Sequence, residues 1–120
     1  MLSNSEIGSI GESYAFAFLE AKNYQILARN WRFKRAEIDI IAKSKHVYIF
    51  IEVKTRAYTY YGQPEEFITP DQESRIIDAS QHFLEDLDPN AEIRFDIISI
   101  LLDRLNRLKK ISHFKDAFFF

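Results

Sequence analysis

Between Val47 and Lys54 the chain reads VYIFIEVK, so that Val47, Ile49, Ile51 and Val53 fall on one side of an extended strand and Tyr48, Phe50, Glu52 and Lys54 on the other. A strand that is apolar on both faces must be covered on both, which calls for a central strand between two layers. The rest of the chain can supply those layers. Ser3-Asn4-Ser5-Glu6 has the spacing of a capping box, and Ile7, Ile10, Tyr14, Ala17, Phe18 and Ala21 recur at helical spacing, predicting a helix over about 4–22. Residues 24–33 (YQILARNWRF) and 37–42 read as strands, and the polar turn Lys43-Ser44-Lys45-His46 joins the second of them to 47–54. Gly62 and Pro64 mark a loop. Thr69-Pro70-Asp71-Gln72 supplies an N-cap, a proline at the first helical position and a capping-box glutamine for a second helix, continued by Ile76, Ile77, Ser80, Phe83, Leu84 and Leu87. Residues 92–102 (EIRFDIISILL) have strand composition, and a basic stretch from Arg104 to Lys110 follows. The order αβββαβ predicts an α/β fold, a mixed central sheet flanked by helices.

A chain of 120 residues, 47% hydrophobic and 15% aromatic, suits one domain over 1–120 that needs no staples. The absence of cysteine excludes a disulfide framework, a thiolate metal site and a cysteine nucleophile. Residues 1–20 lack a basic start followed by an apolar stretch, and no apolar run approaches the roughly 20 residues a membrane helix requires. These features predict a soluble, cytoplasmic protein. The net charge of −2 argues against a uniformly basic coat, but the charge is uneven. From Lys22 to Arg56 nine basic residues meet three acidic ones, leaving +6, whereas from Glu65 to Asp103 only Arg75 and Arg94 face eleven acids. A local anionic partner such as phosphate fits the first segment. His46, His82 and His113 have no metal-ligand spacing, and neither a nucleophile elbow nor a phosphate loop is present.

The runs EIDIIA and VYIFIEVK place Glu37, Asp39, Glu52 and Lys54 among core-type residues, where an unpaired charge costs several kcal/mol. Glu52 and Lys54 share a strand face, and a hairpin with an even-numbered loop adds Asp39 to it. Opposed carboxylates repel, so this arrangement demands a cation. Lys54 could serve alone, or the acids could hold a hard ion such as Mg²⁺ or Mn²⁺, which takes carboxylate oxygens together with water and phosphate. Glu12 lies on the first helix in line with Gly8, Phe16 and Leu19, a poor place for a solvated glutamate. It either joins the same site or pairs with Arg29, Arg32 or Lys54 in the core.

Gly11-Glu12, RNWRFKRAEIDIIA, VYIFIEVKTR, ITPDQ, RFDIISI and ISHFKDAF together resemble, in order and over nearly the whole chain, the YraN family of nuclease-like proteins. More distantly the chain is similar to the archaeal Holliday-junction resolvases, within the restriction-endonuclease-like superfamily that carries the PD-(D/E)xK signature. The resemblance implies that fold and a Mg²⁺-dependent endonuclease site for structured or branched DNA. Carried over residue by residue, Glu12 matches the helix-one acid, Asp39 and Glu52 the metal-binding acids, and Lys54 the catalytic lysine. Glu12 could hold a second ion or its water shell, and a backbone carbonyl beside Glu52, such as that of Val53, could be a further ligand. The family usually has glycine where this chain has Ala36, and a lysine where it has Gln72. Gln72 reads either as the capping partner of Thr69 or as a substrate contact. Arg56 and Lys34 are placed to meet flanking phosphates, and Asp96 to make a structural pair with Arg94 or a backbone group. Tyr58, Tyr60 and Tyr61 could stack on bases or pack a loop or a homodimer interface. Two other readings stand beside the nuclease: a non-catalytic module that binds nucleic acid or a repair partner, and a buried ion-pair network with a structural role alone.

Overall fold

A computed structural model describes residues 2–58, 68–85, 87–88 and 90–118. Helix α1 spans Asn4–Ala21 and opens on the expected capping box: Ser3 Oγ accepts the Glu6 N–H at 3.1 Å, and the Ser3 N–H donates to Glu6 Oε1 at 3.0 Å. Asn23, at φ 67°, turns the chain into β1, Gln25–Phe33. Strand β2, Ala36–Ser44, returns antiparallel and meets β3, Val47–Arg56, through the two-residue turn Lys45-His46, with Lys45 at φ 57°. Helix α2, Pro70–Leu84, carries the second capping box between Thr69 and Gln72 and acts as the crossover into β4, Glu92–Leu102, which runs parallel to β3. Leu87 does not continue the apolar face of α2: it lies past the end of the helix and is 59% exposed.

The basic stretch after β4 leads into a further strand, β5, Leu108–Phe118, antiparallel to β4, so the order is αβββαββ. Asp103 makes the turn, its Oδ1 accepting the N–H groups of Leu105 and Arg107, each at 2.9 Å. The mixed sheet has the order β1-β2-β3-β4-β5, which puts β3 in the middle as its two apolar faces require. On one side Ile49, Ile51, Val53, Ile98 and Ile100 pack under Ala15 and Leu19 of α1; on the other, Tyr48, Phe50, Phe95 and Ile97 pack under Ile76, Ala79 and Leu84 of α2. No described helix is long and apolar enough to cross a membrane.

Candidate active site

Strands β2 and β3 pair from Ser44 opposite Val47 as far as Ile40 opposite Ile51, and there the ladder stops. One residue on, Asp39 reaches across with its side chain, and its Oδ2 accepts the Val53 N–H at 2.8 Å. The interruption is built into β2 and β1 at the same level. In a regular strand Ala36, Ile38, Ile40 and Ala42 would share a face; here the first two pack in the α2 layer and the last two in the α1 layer, so alternation breaks at Asp39. The β1–β2 register, Arg29 with Ile40 and Trp31 with Ile38, sets Asn30 opposite Asp39, and Asn30 sits at φ 50°. Asparagine tolerates that left-handed conformation better than a branched residue.

Glu52 is only 7% exposed, and its Oε1 is buried with no hydrogen-bond partner. Burial pushes its carboxyl up to about 8, the neighbouring Asp39 charge pushes in the same direction, and the Lys54 ammonium opposes both. Asp39 is pushed up to about 7: burial leads, the Val53 N–H and Lys54 pull it down, and the charges of Glu12 and Glu37 push it further up. Among the described residues neither Asp39 nor Glu52 closes an ion pair, and Lys54 acts on both from beyond ion-pair distance. A buried ion-pair network centred on Lys54 is therefore not what the chain has built.

Glu12 is half-buried on α1 and is also pushed up, by burial first and then by Glu37. No ion pair to Arg29, Arg32 or Lys54 forms among the described residues; Arg29 lies over the Phe16 ring at 4.5 Å and Arg32 pairs with Glu37 at 2.9 Å. Glu12 is held instead by Asn30: with the amide nitrogen turned to the carboxylates, it donates to Glu12 Oε1 at 2.9 Å and to Glu37 Oε1 at 3.1 Å. The helix reaches this close because of Gly11. A Cβ there would overlap Thr55 Oγ1, and rotating that side chain gives no relief, since Thr55 Cβ itself would be 2.7 Å away. Gly8, by contrast, faces open space.

Asp39 and Glu52 open into a cavity of about 290 Å³ shared with Glu37, Arg35, Gln72 and Arg75. Gln72 is engaged as the capping partner of Thr69, accepting its N–H at 3.0 Å. Lys34 sits in the β1–β2 turn at φ 55°, its ammonium 5.3 Å from the centre of the Phe33 ring. Arg56 lies apart from this cavity, in a groove of about 550 Å³ that it shares with Lys54, Gly8 and Asn4, and donates from Nη1 to the Thr55 carbonyl at 2.9 Å. Tyr58 is exposed beneath the Arg104 guanidinium, whereas Tyr60 and Tyr61 lie outside the described residues. Sequence reasoning did not single out Asn30, Arg35 and Arg75 as site residues. An asparagine inside a strand, and a cation three positions beyond Gln72 on the same helix, were the available signals.

The acids fit a divalent cation in one respect that does not depend on any bound ion: a buried carboxylate oxygen lacks a partner beside a second carboxylate whose charge repels it. No three carboxylate or imidazole groups are gathered to enclose an ion among the described residues. A cation would therefore rest on Asp39 and Glu52 and draw its other oxygens from backbone, water or substrate, as Mg²⁺ commonly does.

The family model described as uncharacterised protein family UPF0102 matches residues 11–100, from Gly11 through most of β4. A UPF0102 protein of Christiangramia forsetii is 40% identical over 120 residues, covering 100% of this chain and 99% of the relative. The chain belongs to the UPF0102 family. Further UPF0102 proteins, from Chlorobium phaeobacteroides and Clostridium botulinum, are 43% and 40% identical over 117 residues, covering 93% and 96% of this chain and 92% and 95% of the relatives. UPF0102 is the YraN family to which the sequence motifs pointed. The stretch matched to UPF0102 includes Glu12, Asn30, Asp39, Glu52, Lys54 and Arg75, while β5 lies beyond it.

Proposed function

We propose that this UPF0102 protein is a metal-dependent endonuclease that hydrolyses phosphodiester bonds in structured or branched DNA. The observation that carries the reading is the Asp39–Glu52 pair: a buried and a half-buried carboxylate with no cation in contact among the described residues, one buried oxygen unsatisfied, at the mouth of a cavity edged by Arg35 and Arg75. A Mg²⁺ or Mn²⁺ ion held by Asp39 and Glu52 supplies polarisation of a phosphoryl oxygen and a water made more acidic. Asp39 has a second task, since its bond to the Val53 N–H fixes the width of the strand opening. Lys54, one same-face position beyond Glu52, orients the attacking water or steadies the charge that develops on the phosphate. Glu12, steadied by Asn30, lies near enough to raise Asp39 and would accept hydrogen bonds from water around the reacting phosphate.

Purified protein with Mg²⁺ or Mn²⁺, offered linear, flapped and four-way-junction DNA, tests this directly. Cleavage or nicking of at least one branched substrate is expected, and Glu52→Ala should abolish it while leaving DNA binding largely intact. Wild-type cleavage in both Glu52→Ala and Asp39→Ala would sink the assignment. Tight binding of branched DNA without turnover would instead favour the non-catalytic module, a reading that the neutral, cap-engaged Gln72 supports.

A further inference from the structure

Eight arginines occur in the chain, and six of them have visible work. Arg32 pairs with Glu37, Arg94 with Asp96 and Arg107 with Asp103; Arg29 and Arg104 lie over the rings of Phe16 and Tyr58; Arg56 bonds the Thr55 carbonyl. Arg35 and Arg75 differ. Among the described residues neither guanidinium has an ion pair, a hydrogen bond or a ring beneath it, and both are exposed.

Their positions converge although they are forty residues apart. Arg35 ends the turn between β1 and β2, and Arg75 lies in the second turn of α2. Both line the cavity of Asp39 and Glu52, and both also line an adjoining groove of about 240 Å³, where Lys34 and Phe33 join them. The buried Ala36 is common to both spaces. Of the acids nearby, Glu37 is held by Arg32, Asp39 and Glu52 form the proposed metal pair, and Asp78 is an exposed residue of the second groove. An arginine fork matches phosphate oxygens two at a time, which a lysine cannot do.

We infer that Arg35 and Arg75 clamp a backbone phosphate next to the reacting one, so that a nucleic-acid strand runs from the Asp39–Glu52 cavity outward between the β1–β2 turn and α2. This rests on the nuclease reading for the identity of the strand, and it adds the residues that hold its backbone beside the reacting phosphate. Lys34 lies along the same path, whereas Arg56 flanks the pair from the α1 side.

Binding is measured in EDTA, so that no cleavage can contribute, by anisotropy of a labelled single-stranded DNA oligonucleotide and of its blunt duplex across a salt series. The wild type should bind both, more weakly as salt rises. Arg35→Ala and Arg75→Ala should each weaken binding about tenfold, the worth of one charge-assisted contact, and the double variant should flatten the salt slope by about 0.7 for each lost contact. Arg35→Gln and Arg75→Gln keep the stems and should bind as weakly as the alanines, with melting temperatures unchanged; Arg104→Ala should bind as the wild type does. Wild-type affinity and slope in the double variant would overturn the inference while leaving the nuclease reading to stand on Glu52→Ala. Equal competition by an acidic peptide of the same charge would overturn it too. A wild type that binds no DNA would remove both readings.

Discussion

Two acidic sites, each with a buried carboxylate, lie on neighbouring strands, and the chain treats them in opposite ways. Asp96 of β4 stands opposite Ile51, one position from the level of Glu52, and is fully buried. Arg94 donates to both its oxygens, from Nε at 2.9 Å and Nη2 at 2.8 Å; His113 Nε2 meets Oδ2 at 2.7 Å, and the Asp116 N–H reaches Oδ1 at 3.2 Å. Phe18 and Tyr24 wall the His113 ring edge-on, and the Tyr24 hydroxyl accepts from Arg94. Burial pushes the Asp96 carboxyl up, but the bonds from His113 and Arg94 outweigh it, and it sits below the usual range. Asp39 has one backbone donor, Glu52 Oε1 has none, and both are pushed up. Burial of an acid therefore says little by itself. What separates the two sites is whether the protein supplies the donors.

The largest effect that could break this contrast is on folding. Asp96→Ala leaves Arg94 and His113 without their acceptor and should cost about 3–5 kcal/mol in denaturant unfolding. Asp39→Asn keeps an oxygen for the Val53 N–H and relieves a repulsion, so in EDTA it should be as stable as the wild type or more so, as should Glu52→Gln. An Asp39→Asn variant as damaged as Asp96→Ala would make both sites structural.

The second effect is on pH dependence, where the two sites carry opposite signs. Asp39 and Glu52 are raised in the folded state, so their favourable contribution is whole below the unfolded value of about 4 and is lost as pH climbs through about 7 and 8. Asp96 is lowered, so its contribution is present above about 4 and is lost as pH falls through its folded value. Metal-free protein should lose stability on both sides, and the double variant Asp39→Asn, Glu52→Gln should flatten only the alkaline limb of an unfolding series. A limb unchanged by that variant would assign it to other groups.

The smallest effect sharpens the contrast most. With a Kd on the order of 1 mM, 10 mM Mg²⁺ should stabilise the wild type by roughly 1.4 kcal/mol, a shift of several degrees in Tm, and either carboxamide variant should abolish the shift. Asp96 variants, however unstable, should keep it. A wild type that ignores Mg²⁺ would count against the metal site.

Much of this was legible because local rules were strong. The two-faced run at Val47–Lys54 located the central strand, and both capping boxes form with the residues expected of them. Asp96 was expected to pair with Arg94 or a backbone group and does both, but His113 could not be foreseen beside it. That contact depends on the pairing of β4 with β5, and β5 was obscured by the lysines that an edge strand tolerates in place of apolar residues. The convergence of Asp39 and Glu52 was anticipated from a regular hairpin. The structure reaches it by breaking the hairpin, since alternation fails at Asp39 and a side chain bridges the gap. Asn30 escaped notice for the same reason: its role exists only where the strands depart from the pattern used to read them. Glu12 was rightly suspected of an unusual setting, and Gly11 provides the close approach behind it, while Gly8 faces open space.

The parting of β2 from β3 also changes how many borders the sheet has. An ordinary open sheet ends at two outer strands, each able to recruit a foreign strand, and here β1 and β5 carry Arg29, Arg32, Lys109, Lys110 and Lys115, charges that discourage such recruitment. The parting adds a third border in the interior, where the N–H at its mouth is already taken by Asp39. The protein thus exposes strand margin in its most protected layer without offering a template for aggregation, and the side chain that prevents the one is the side chain proposed to do the chemistry.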